Sequence, residues 1–85
     1  MTGQGSAWRA SDAATFDIAR EAANTAVAAV LRLADDGAML HDYALAEASA
    51  IRSELVEIDP YNRREVDALL ERLTNRIAEL SGPLP

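Results

Sequence analysis

Apolar residues recur at intervals of three and four along most of this chain, and this spacing constrains the fold more than any other feature. In the last third they fall within about 100° of a helical circumference, and they are Val66, Leu69, Leu70, Leu73, Ile77 and Leu80. The middle third has a stripe of roughly 80°, made of Leu40, Ala44, Ala48, Ile51, Leu55 and Ile58. A period of 3.6 residues is that of an amphipathic helix, so each segment is predicted to bury one face.

Eighteen alanines and ten leucines are the main apolar residues, and both residue types favour helix. Only four residues are aromatic, so the core is expected to be aliphatic. We therefore predict an all-α fold. Because short connections favour antiparallel neighbours, the expected architecture is a three-helix up-down-up bundle, either complete in itself or completed by homodimerisation.

Capping and turn residues mark the boundaries of these helices. Ser11 is a suitable N-cap for the first helix, and Gly37 can take the left-handed conformation that closes it. Asp59 can cap the third helix, with Pro60 at its first position. The predicted organisation is a flexible arm at 1–10, a helical domain at 11–81 with helices at about 11–35, 38–58 and 60–80, and a C-terminal tail at 82–85.

The first predicted helix has an apolar arc of roughly 180°, wide enough to bury two sides, and small residues fill its middle. Either it contacts both other helices of one bundle, or one of its sides is reserved for another chain. In the second helix, Leu45 and Val56 lie together outside the apolar stripe and are surplus to the simplest core. Trp8 is either a local clamp on the first helix or an anchor for a partner, since tryptophan is enriched in binding hot spots. The candidate interface residues are therefore Trp8, Ala19, Ala22, Ala23, Ala26, Ala29, Leu45 and Val56.

The charge is acidic, with a formal net charge of −6 and no lysine. Carboxylates concentrate in residues 41–59, which argues against nucleic-acid binding because phosphate contacts need clustered cations. No stretch has the roughly 18 apolar residues of a membrane span. The absence of cysteine and of a secretory signal at the start favours a cytoplasmic location. Exclusive use of arginine is typical of GC-rich bacterial coding.

Residues that could carry catalysis or bind a metal form no convincing pattern. His41 is the only histidine, and no nucleophile motif surrounds it. Glu54 and Glu57 could share a divalent ion only with a second acidic pair on a facing helix, and no matching repeat is present. The arginines of the last third have helical salt-bridge spacing, as in Arg63–Asp67, Arg64–Asp67 and Arg76–Glu79. We expect no catalytic centre, no cofactor and no metal.

These features favour a non-enzymatic protein-protein interaction module, which binds itself as a homo-oligomer or binds a larger protein. One alternative is an acidic antitoxin, immunity or inhibitor protein that covers a basic site on its target. Another is a small helical enzyme whose site, built from Glu54 and Glu57 or from the arginines, is shared across a dimer.

Overall fold

The computed structural model describes the backbone of residues 3–82 and the side chains of residues 11–82. It contains three helices, α1 (Gly3–Asp35), α2 (His41–Glu57) and α3 (Arg63–Leu80), and the described residues form no strand. α1 packs against both α2 and α3. The predicted all-α three-helix fold is therefore confirmed.

Ion pairs between the helices show their directions. Arg63, at the start of α3, pairs with Asp12 in the first half of α1, with 3.2 Å between Nη1 and Oδ1. Further along α3, Arg72 pairs with Glu54 of α2, and Arg76 pairs with Glu47. Because the numbers rise in α3 while they fall in α2, these two helices are antiparallel. The chain therefore runs up, down and up, as expected.

The core is aliphatic and rich in alanine. Leu69, Val30 and Val66 are its largest fully buried side chains. The other buried apolar residues come from all three helices and are Ala19, Ala23, Ala26, Val27, Ala34, Ala44, Ala48, Ile51 and Leu73. Since every buried α1 residue that the structure describes is alanine or valine, little side-chain volume separates the α1 backbone from its two neighbours.

α1 begins earlier than its sequence predicted. It starts at Gly3, so Ser11 is an interior helix residue and the predicted Ser11 cap is wrong. No proline interrupts the chain between Gly3 and Ser11, and the Ser11 carbonyl accepts a hydrogen bond from the Thr15 hydroxyl at 3.0 Å. The predicted flexibility of residues 1–10 stays a prediction.

Gly37 closes α1 as expected. Its φ is 78°, a left-handed conformation that costs glycine little. The Gly37 amide donates to the Ala34 carbonyl at 3.1 Å, and the Ala38 amide donates to the Leu33 carbonyl at 2.8 Å. This pair of bonds is a Schellman motif, which satisfies carbonyls left open at the helix end.

The segment before α3 differs from the prediction. The Asp59 carboxylate accepts from the Tyr61 amide at 2.9 Å, and the Asp59 carbonyl accepts from the Asn62 amide at 3.0 Å. Asp59 and Pro60 therefore build a turn, and the prediction that they start the helix is wrong. Asn62 is the N-cap instead, because its side chain accepts from the Glu65 amide at 3.2 Å and donates to the Glu65 carboxylate. This reciprocal arrangement resembles a capping box.

α2 also starts later than expected, at His41. Leu40 takes the N-cap position in an extended conformation, with φ −65° and ψ 137°. Its side chain is 79 % exposed, so the prediction that Leu40 belongs to the core is wrong. The helical phase that placed Leu40 in the apolar stripe does not apply outside the helix.

α2 and α3 meet through charged side chains. No Cα atom of α2 lies within 8 Å of a Cα atom of α3 in the described chain. Arg76 spans the gap with two bonds, from Nε to Glu47 Oε2 at 2.6 Å and from Nη2 to Glu47 Oε1 at 2.8 Å. The hydrogen bond to Glu47 raises the pKa of the Arg76 guanidinium, burial lowers it in part, and Glu79 adds to the rise. The guanidinium therefore stays protonated over the working pH range, and it holds α2 beside α3.

Candidate interaction surface

The structure divides the predicted interface residues whose side chains it describes into three groups. Ala19, Ala23 and Ala26 are buried inside this chain, where α1 meets α2 and α3. Ala22 and Ala29 are half-buried at the edge of the same contact. The Trp8 side chain lies outside the described residues. Leu45 and Val56 remain as the exposed large apolar members.

Leu45 and Val56 line one groove between α2 and α1, which we call the α1/α2 groove. Leu45 is 59 % exposed and Val56 is 84 % exposed, as their position outside the stripe indicates. α1 contributes Leu31 from the other side. The groove is open to solvent, has a volume of about 470 Å³, and is lined by Leu31, Leu45, Ala48, Ser49, Arg52, Ser53, Val56 and Glu57.

Two small side chains, Ser49 and Ser53, and one long one, Arg52, line the groove on α2 between the two aliphatic residues. Ser49 and Ser53 are both exposed, and they leave the surface low where a second helix would approach. Leu45, Ser49, Arg52 and Val56 follow each other at spacings of four, three and four residues. This is the spacing of a helix face that packs against another helix. The groove therefore presents two exposed aliphatic side chains and two small ones on one side of α2.

Charged groups are distributed differently on the two sides of α2. On the side that faces α3, Glu47 and Glu54 are both paired with arginine. Near the α1/α2 groove, four exposed carboxylates form no ion pair or side-chain hydrogen bond within the described chain. We call this set the acidic rim, and its members are Asp35, Asp36, Asp42 and Glu57.

Sequence order places these carboxylates near the two ends of the groove. Asp35 lies one turn after Leu31 on α1, and Asp42 lies one turn before Leu45 on α2. Asp36 directly follows α1, and Glu57 directly follows Val56 and lines the groove itself. Arg52 is the one cation that lines the groove, and it too has no ion pair with a described residue. The groove thus has aliphatic side chains at Leu45 and Val56, polar residues and Arg52 between them, and carboxylates near its ends.

The residues considered for catalysis or metal binding are dispersed. Glu54 is bonded to Arg72, whereas Glu57 is exposed on the groove side of α2. His41 is exposed at the start of α2. In the described range, no three His, Asp or Glu side chains are grouped so that they could hold a metal ion. None of the helices in that range is long and apolar enough to cross a membrane.

The interhelical role of Arg72 and Arg76 was missed by sequence reasoning, which considered salt bridges only within α3. Two of the three predicted pairs within α3 are present, Arg63–Asp67 at 3.5 Å and Arg76–Glu79 at 3.2 Å. Arg64 does not join Asp67, which pairs with Arg63 instead. The pairing of Glu54 with Arg72 was also missed, since it joins residues from different helices and no local spacing signals it.

Leu31 was also missed as a groove residue. It lies four residues after Val27, which places it about 40° beyond the edge of the predicted apolar arc of α1. A large aliphatic residue just outside an apolar arc was the available signal.

Comparison with protein-family models, curated proteins and solved structures gives no match to this chain.

Proposed function

We propose that this protein is a non-enzymatic helical interaction module that binds its partner through the α1/α2 groove. The observation that carries the proposal is the exposure of Leu45 and Val56 beside the half-buried Leu31 in one groove. Exposed aliphatic residues scattered singly need no explanation, but two that line one groove beside a third aliphatic side chain are typical of a binding surface.

The buried α1 alanines support the choice of this surface over the alternative considered from the sequence. A partner that docked on Ala19, Ala23 or Ala26 would first have to displace α2 or α3. The α1/α2 groove needs no such opening. Self-association through this groove and the binding of a larger protein are two forms of the same proposed activity.

Affinity purification with three forms of the chain as bait tests the proposal. The baits are the wild type, the double variant Leu45→Gln/Val56→Gln, and the control Ile18→Gln, which replaces an aliphatic residue that is 55 % exposed outside the groove. Each bait is expressed in the organism that produces the protein, and the intact mass of the eluted complex is measured. We expect a complex of fixed stoichiometry with the wild type and the control, and its loss with the double variant. Recovery of the same complex with all three baits would contradict the proposal.

A further inference from the structure

The acidic rim and the exposed aliphatic residues of the α1/α2 groove, Leu45 and Val56, together specify the chemistry of the partner. We propose that the groove binds a basic amphipathic helix of a different protein. This inference rests on the proposed function and deepens it, because it names the chemistry of the occupant.

The spacing of Leu45 and Val56 sets the form and length of that occupant. Leu45 and Val56 are eleven residues apart on one side of α2, which corresponds to a rise of about 16 Å. A helix laid in the groove would contact both with apolar residues at positions i, i+4, i+7 and i+11. Ser49 and Ser53 leave room for its backbone between these two contacts. A partner helix of about 12 to 15 residues is long enough to span them.

The acidic rim sets the charge of the occupant. Asp35, Asp36, Asp42 and Glu57 have no arginine partner in the described chain, although Glu47 and Glu54 on the opposite side of α2 do. Lysine or arginine residues beside the apolar positions of a docked helix would complement these carboxylates. Such complementarity accelerates association and selects partners by charge.

A second copy of this chain fits the groove less well. It carries the same net charge of −6 and the same acidic rim, so docking would bring like charges together. Exposed charges within about 8 Å are not fully screened at physiological ionic strength. A partner of opposite charge would attract the acidic rim, whereas a second copy of this chain would repel it.

Two synthetic peptides of 15 residues test the inference directly. Both carry leucine at positions 2, 6, 9 and 13, and the remaining positions are mainly alanine and lysine in one peptide and alanine and glutamate in the other. Binding of each fluorescein-labelled peptide to the full chain is followed by fluorescence anisotropy at two salt concentrations. We expect the lysine peptide to bind, with weaker affinity at higher salt, and the glutamate peptide to bind at least about tenfold more weakly.

Variants separate groove binding from general attraction between opposite charges. Leu45→Gln/Val56→Gln should weaken binding of the lysine peptide about tenfold or more, while Ile18→Gln leaves it unchanged. Asp42→Asn should weaken binding about two- to threefold, and Arg52→Gln should strengthen it by a similar factor, because it removes the one cation that lines the groove. Circular dichroism of each variant checks that its helical content is retained.

Two results would overturn the inference. Equal binding of the lysine peptide by the wild type and the double groove variant would show that the attraction is not located in the groove. Sedimentation showing a homodimer that dissociates in Leu45→Gln/Val56→Gln would identify a second copy as the occupant. The second result leaves the proposed function intact, whereas a complex captured equally by all three baits would contradict the proposed function itself.

Discussion

The ion pair between Arg76 and Glu47 should contribute measurably to stability, because it joins two helices whose backbones do not touch. Its two hydrogen bonds are 2.6 and 2.8 Å long, and the side chains are 32 % and 19 % exposed. Exposed pairs contribute about 0.2 to 1 kcal/mol, while removing one partner of a buried pair costs about 3 to 5 kcal/mol. Partial exposure and bidentate geometry place the coupling between Arg76 and Glu47 at about 1 to 2 kcal/mol.

A double-mutant cycle measures this coupling. Glu47→Gln, Arg76→Gln and the double variant are unfolded in urea and followed by circular dichroism. Glu47→Gln alone should lower the melting temperature by about 4 to 16 °C, since the expected loss is about 1 to 2 kcal/mol and about 1 kcal/mol corresponds to 4 to 8 °C in a domain of this size. The cycle subtracts effects that each substitution has on its own.

The matched control is the pair Arg20–Asp17 on α1, in which both side chains are more than half exposed. Its coupling should be about 0 to 0.5 kcal/mol, as for other exposed pairs within one helix. A coupling between Arg76 and Glu47 no larger than that of the control would refute the argument that this pair holds α2 beside α3.

Three further substitutions test the core and the start of α3. Leu73→Ala should destabilise the fold by about 2 to 5 kcal/mol, the range for a buried leucine, and a loss below about 0.5 kcal/mol in urea unfolding would contradict the burial of Leu73. Ala26→Leu should cost about 1 to 3 kcal/mol because Ala26 is fully buried where α1 contacts its neighbours, so a melting temperature at or above the wild type would show that the close packing is wrong. Asn62→Ala should cost about 1 kcal/mol through loss of the N-cap. In calorimetric melting, its loss of stability should be larger than that of Asp59→Ala. The reverse order would show that Asp59 is the N-cap.

Three features were determined by the sequence alone: the all-helical class, the number of helices and the core face of α3. The α3 stripe shows why, since Val66, Leu69 and Leu73 recur at helical spacing and all three are buried. Gly37 was predictable for a related reason, because a left-handed helix end favours the residue without a Cβ. The exclusion of Leu45 and Val56 from the α2 stripe also followed from periodicity. Each of these features depends on residues within a few turns of one another.

The tertiary structure decided which of several local options was used. Ser11 and Asp59 were both acceptable N-caps, yet α1 continues through Ser11, and Asn62 with Glu65 caps α3. Local sequence ranks such options by differences of about 1 kcal/mol, which packing elsewhere readily exceeds.

The pairing partners of the charged side chains depended on the tertiary structure more than any other feature did. Spacing along α3 indicated that its arginines pair within the helix, but Arg72 and Arg76 reach across to Glu54 and Glu47 of α2. None of the described arginines pairs with a carboxylate of the acidic rim. A residue's partner on another helix depends on how the helices are placed, and no periodicity within one helix encodes that placement. Leu31 entered the groove for the same reason, because only the packing of α1 against α2 brings it beside Leu45 and Val56.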